Sequence, residues 1–177
     1  MTVAARVLRL LALAVWIGAI VFFGAAVAPT AARTFGTTEQ FADLIGASIL
    51  RLHSIGLWCG IAILVALRLL GKRAYRMPIQ ASLVLLMMVL TFVSNRAVIL
   101  PMEHDRQLAG GNISILLPGS PIREDFDARH AWSTRIEGAV LAAAIGLVVL
   151  IGLEGDVPWG HAPSAPSRKL FDLADEA

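Results

Sequence analysis

"LLALAVWIGAIVFFGAAVA", residues 10–28, decides how this chain is read. It carries no charge from end to end. A bilayer-spanning helix needs roughly 20 predominantly apolar residues, and this run supplies them. The competing reading is a cleaved signal peptide. Arg6 and Arg9 give it a basic start, and Ala26-Val27-Ala28 has the small residues of a cleavage site. The apolar core of such a peptide is only about 7–15 residues, however, and Pro29 directly after the site is a poor cleavage context. The run is therefore read as a first transmembrane span.

Three further runs follow. Leu52–Leu67 is interrupted by His53 and closed by Arg68. Met77–Asn95 is uncharged, and Gly138–Leu153 lies between Glu137 and Glu154. The second and fourth runs reach spanning length if their helices begin earlier, at "LRLHSIGLW" (50–58) and "DARHAWSTR" (127–135). None alternates like a strand. Lipid admits only helices and closed barrels, because backbone polar groups must be paired internally. The expectation is an all-α integral membrane four-helix bundle over residues 1–153, with a tail from 154 to 177. Composition agrees: 57% of the 177 residues are hydrophobic and 16% are charged, well below the roughly 25% of soluble domains. A net charge of +2, with scattered basic residues, argues against a nucleic-acid partner. The single cysteine, Cys59, permits no internal disulfide and reads as a small core residue.

Orientation follows from Lys and Arg near the span ends. One side would hold Arg6, Arg9, Arg68, Lys72, Arg73, Arg76, Arg168 and Lys169. The other would hold Arg33, Arg51, Arg96, Arg106, Arg123, Arg129 and Arg135. The totals barely differ, but the short loop "RLLGKRAYRMP" (68–78) packs four basic residues with no acid. That loop is expected in the cytoplasm, together with both termini, in an inner-membrane protein whose first partner is the lipid bilayer. On the outer side, "TTEQFADLIGASIL" (37–50) reads as a capping box at Thr37 and Gln40 opening a helix. That helix presents Phe41, Leu44, Ile45 and Ile49 on one face and runs on into the second span. Residues 103–129, with "AGGN" and "LPGSP", read as a loop whose "RED" and "FDAR" form a solvated rim. Asn112-Ile113-Ser114 matches a glycosylation sequon of little weight. In the tail, "APSAPS" reads as a linker and Ser167 as the cap of a short helix.

The two halves resemble each other. "AAVAP" ends the first span at Pro29 and "AVILP" the third at Pro101. After a similar gap each half then gives Arg-His and an apolar run, consistent with a parallel repeat. His53 and His130 would then occupy matching places near the outer face. Arg96 would lie about 27 Å above Pro78, at the same level. On the fourth helix Ser133, Arg135 and Glu137 lie within two turns of His130. Arg135 and Glu137 are two apart and cannot share a face. Charged groups at membrane depth face the bundle and pair, so Arg96 with Glu137 is the expected pair. His53, Arg96, His130, Ser133, Arg135 and Glu137 make up the candidate polar pocket. The ordinary alternative is interhelical packing, with Trp58 and Trp132 as interfacial anchors. Gly18, Gly24, Gly56, Gly60, Gly138 and Ala142 are candidates for close helix approach, and "GLWCG" (56–60) has the small-xxx-small spacing. Met87 and Met88 read as core filler. Met102, Glu103 and His104 of "PMEHD" are too mixed a set to predict a metal.

"VWIGAIVFFGAAVAPTAARTF" (15–35) resembles the entry motif of the transmembrane-protein-205-like family of small multi-helix membrane proteins. There, Trp-x-Gly and paired aromatics lead into an Ala-Pro exit. Phe126, His130 and Ser133 resemble that family's Phe, His and Ser at the start of its last helix. The likeness covers roughly residues 8–153. "FDARHAWST" departs from it, since the family has apolar residues beside the histidine. The resemblance implies a fold and a location rather than a reaction. No nucleophile with base and orienter, phosphate loop or zinc spacing is present, so an enzyme is not expected. The reading is a non-catalytic membrane protein, alone, as a homo-oligomer or with a membrane partner, that holds a polar ligand pocket near its outer face. No cofactor is predicted. The alternatives are a haem b electron carrier using paired histidines, and a small permease or export accessory for metal or organic ions.

Overall fold

A computed structural model describes residues 2–36 and 38–154. Helix α1 (Thr2–Phe22) passes through a π-helical segment (Phe23–Val27) into α2 (Ala28–Phe35). Helix α3 (Glu39–Leu70) ends in a 3-10 turn (Gly71–Arg73). Helix α4 (Met77–Val93) passes through a second π segment (Ser94–Ile99) into α5 (Leu100–Leu108). A 3-10 turn at Ile113–Ile115 precedes α6 (Pro121–Gly152). Four units are long and apolar enough to cross a membrane: Thr2–Phe35, Glu39–Arg73, Met77–Leu108 and Pro121–Gly152. The described residues contain no strand, and the four spans form a bundle. The chain is a multi-pass membrane protein.

The two π segments share one cause. Pro29 and Pro101 each stand at the second position of the helix that follows. Proline lacks the N–H that would bond four residues back, and its ring crowds that carbonyl. A turn widened just before the proline absorbs the misfit without ending the helix. Both odd spans solve the problem alike, which gives the halves a structural correspondence at "AAVAP" and "AVILP".

Several boundaries differ from the sequence reading. Neither proline ends its helix. Helix α6 begins at Pro121, so "RED" and "FDAR" are helical rather than loop. Ser120 as N-cap and Pro121 at the helix start are the local reason. The cap of α3 is Thr38, whose hydroxyl accepts from Phe41 N–H at 3.4 Å, and Thr37 lies outside the described residues. The tail assignments at "APSAPS" and Ser167 also lie outside them. Asn112 forms a local turn, its Oδ1 accepting from Ser114 N–H at 3.0 Å.

Helix α1 packs along α3, α3 along α4 and α4 along α6, and the α1–α6 seam is the lightest. The interior positions recur every three or four residues: Ala5, Arg9, Leu13, Trp16 and Ile20 on α1, and Val140, Ala144 and Leu147 on α6. This is the inward stripe of helices packed in a bundle. Trp16 fills a cradle on α3. A Cβ at Gly56 would lie 2.6 Å from Trp16 Nε1, and one at Gly60 would lie 2.6 Å from Met88 Cγ. Gly18, Gly24 and Gly138 meet nothing within 4 Å, and Ala142 is exposed. Of the small residues singled out, Gly56 and Gly60 are the ones that admit a neighbour.

Candidate functional site

The interior stripe is apolar in its middle and polar at both ends. At the end remote from the basic loop 68–78, termed the outer end, His53 is 1% exposed and its Nε2 lies 2.7 Å from Glu137 Oε1. Helix rise explains the meeting. His53 is about 26 Å above Leu70 and Glu137 about 22 Å above Gly152. Glu137 falls four residues after Ser133 and three before Val140, both buried, so it shares their inward face. Thr91 and Ser94 sit about 21 and 26 Å above Met77, at the same level, and are also buried. His53 Nδ1, Thr91 Oγ1, Ser94 Oγ and Asn95 Oδ1 are buried atoms without a hydrogen-bond partner. Buried polar atoms without protein partners are the usual seats of ordered water or a ligand.

Of the six residues expected to form the pocket, the structure places His53, Ser133 and Glu137 inward. His130, Arg96 and Arg135 are exposed. Arg96 therefore does not pair with Glu137. Ser94 holds the inward position three residues after Thr91, and Arg96, two further on, turns away. Its guanidinium lies over the Phe92 ring at 5.6 Å. Arg135 is likewise turned from Glu137 and lies over Trp132 at 5.3 Å. His130 is about 33 Å above Gly152, roughly 7 Å further out than His53 is above Leu70. The two histidines are thus not brought together, and the paired-histidine haem arrangement is not formed by them. The Arg-His repetition in sequence matched the wrong depth, and Glu137 takes the place given to His130.

The end that holds the basic loop, termed the inner end, carries a cluster that the sequence reading missed. Arg9 is 1% exposed and forks onto Glu154, with Nη1 to Oε1 at 2.8 Å and Nη2 to Oε2 at 2.5 Å. Arg9 Nη1 also donates to Gln80 Oε1 at 2.9 Å. Gln80 Nε2 donates to Tyr75 O at 2.6 Å and to Glu154 Oε1 at 2.9 Å. Tyr75 N–H donates to the same oxygen at 2.8 Å. Burial alone would raise the Glu154 carboxyl. Hydrogen bonds from Arg9 and Gln80, the Arg9 charge and the Tyr75 N–H outweigh it and hold the group below the ordinary carboxylate value. The cluster ties the start of α1, the middle loop and the end of α6. A signal for it existed: Arg9 continues the stripe of Ala5, Leu13 and Trp16, and Gln80 that of Val84 and Met87.

Ion pairs rim the outer surface. Arg106 donates to Glu103 Oε1 at 2.6 Å and to Asp43 Oδ1 at 2.6 Å, and Arg129 pairs with Asp105. Glu103 of "PMEHD" is thereby committed to Arg106, while His104 is exposed.

The family described as Domain of unknown function (DUF4149) matches residues 11–111, more than half of the chain. No curated protein and no solved structure matches it.

Proposed function

The chain belongs to this family of domains of unknown function, and from that premise we propose a non-catalytic inner-membrane bundle whose outer half encloses a pocket for a small polar ligand. Both termini face the cytoplasm in this reading, because the acid-free loop around Lys72 and Arg73 is the short basic segment that the positive-inside bias favours there. The likeness of "VWIGAIVFFGAAVAPTAARTF" to the transmembrane-protein-205-like family belongs to the same reading. The observation that carries it is the contact of the buried His53 with the partly buried Glu137, in a layer where Thr91, Ser94 and Asn95 keep polar atoms without partners. Ionisable groups inside a membrane bundle are costly and mark ligand or ion paths more often than packing alone requires. A permease or export accessory would use the same pocket, with the Arg9–Glu154 cluster closing its inner end.

The test is access. Ser94→Cys and Thr91→Cys, each in a Cys59→Ala background, are exposed in intact cells to a small membrane-impermeant thiosulfonate. Reaction from outside is expected at both positions. Unreactive thiols at both, in protein that is inserted and folded, would overturn the pocket. Reaction only from the cytoplasmic side of inverted vesicles would reverse the orientation.

A further inference from the structure

We infer that the buried outer layer is a proton-binding site, and that the proton is taken by His53 Nδ1. This rests on the pocket reading and names its ligand.

With Glu137 taken as the carboxylate, which only accepts, the ring nitrogen 2.7 Å from its Oε1 is the one that carries hydrogen. In the neutral ring, Nδ1 then holds the lone pair. That atom is buried and has no hydrogen-bond partner. The neutral ring with its carboxylate leaves one net negative charge, partly buried near the outer end of the bundle. Adding H⁺ at Nδ1 makes an imidazolium beside the carboxylate, and the net charge becomes zero. No bond other than Nδ1–H forms, and no co-reactant is needed. Burying an uncompensated charge is far costlier than burying a matched pair.

The surroundings suit a proton better than a larger ion. The side chains that α4 and its π segment bring to this level are the neutral Thr91, Ser94 and Asn95. Helix α1 brings Trp16 over Gly56, one turn inward of His53. Helix α6 brings Ser133 and Glu137. The charged groups nearest in level, Arg51 on α3, Arg96 on the π segment and Arg135 on α6, are exposed. So is His130, and further out Arg106 and Arg129 are engaged by carboxylates. The unpartnered Thr91, Ser94 and Asn95 oxygens offer the two to four polar partners a bound water needs. Such water is the path by which a proton reaches Nδ1.

The experiment is a pH titration of the full chain in lipid nanodiscs with histidine-selective nitrogen-15 labelling. The His53 signals are identified by their loss in His53→Gln, since the chain has four histidines. The expected result is that Nε2 stays protonated throughout, while Nδ1 passes from its lone-pair to its protonated resonance as pH falls. Glu137→Gln removes the neighbouring anion and should lower the ratio of imidazolium to neutral ring at a given pH about tenfold or more. Glu137→Asp, which keeps the carboxylate, should retain much of it. An Nδ1 that holds one state across the titration, or an Nε2 that carries the lone pair, overturns the inference from the wild-type protein alone. So does a Glu137→Gln protein that titrates as the wild type does. If the Ser94→Cys thiol reacts from outside while Nδ1 never changes state, the pocket stands and the proton site falls.

Discussion

The same interior stripe ends in polar groups on both sides, but the two ends are built differently. The inner end is close to saturated. Arg9, Gln80, Glu154 and the Tyr75 backbone exchange hydrogen bonds, and Arg9 Nε is the atom left over. The outer end has one contact, His53 with Glu137, among hydroxyl and amide groups that the protein leaves unpaired. A saturated cluster rigidifies and resists change, whereas an under-satisfied one is held open for water or ligand. On the proposed reading, the inner end serves stability and the outer end binding.

The largest effect should come from breaking the inner cluster. Glu154→Ala leaves the Arg9 guanidinium buried without its counter-charge, at a cost of about 3–5 kcal/mol. Thermal or denaturant unfolding in detergent measures it, and Glu154→Gln, which keeps hydrogen-bonding capacity, should lose less. The cluster also sets a pH dependence. Glu154 is held below its ordinary value, so its contribution is fully present above the unfolded carboxylate pKa and is lost as pH falls through the folded one. The wild type should therefore weaken below about pH 4, and Glu154→Gln should lose that component. An unchanged acid limb in Glu154→Gln would remove Glu154 from the account.

The four spans were legible because lipid demands long apolar helices, and each run satisfies that demand without help from distant contacts. Span ends were less legible. Pro29 and Pro101 read as exits, yet a widened turn lets the helix continue past each. Site residues were half legible. Ionisable groups near the outer ends were visible, but which ones turn inward depends on helical phase. Glu137 and Ser133 share the phase of Val140, whereas Arg135 does not. His130 misled because a repeated dipeptide fixes neither depth nor phase. Arg9 was counted as a topology charge although it lies in phase with Leu13 and Trp16. The sequence reading places Glu154 at the start of the tail, yet its side chain closes the inner cluster.

The apolar middle separates the two ends, and Gly56 tests how firmly. A methyl group there would sit 2.6 Å from the Trp16 ring. The indole is rigid and 2% exposed, so it cannot swing aside. Gly56→Ala should destabilise by about 1–3 kcal/mol through overpacking. Gly138→Ala is the control of opposite sign. Nothing lies within 4 Å of its added Cβ, and replacing a helical glycine by alanine gains up to about 1 kcal/mol. Equal effects at the two positions would mean that α1 does not seat against α3 as described.

The smallest effects should appear at the outer layer, where the contrast between the ends is most exposed to failure. Thr91→Val and Ser94→Ala remove hydroxyls that have no protein partner. Deleting such a group forfeits no hydrogen bond within the protein and relieves a buried polar atom. Each change should therefore be neutral within about 1 kcal/mol, or slightly stabilising. Gln80→Leu at the inner end is the paired measurement. It strips partners from Tyr75 O and from the Arg9–Glu154 fork, and should cost about 1–3 kcal/mol. Unfolding curves for the three variants in one detergent decide the matter. If Ser94→Ala lost as much as Gln80→Leu, the outer hydroxyls would be bound tightly enough to hold the fold, and the division between a locking end and a binding end would collapse. A neutral Ser94→Ala together with a weakened Gln80→Leu would leave the outer polar groups without a structural reason to be there, which is the condition a ligand site requires.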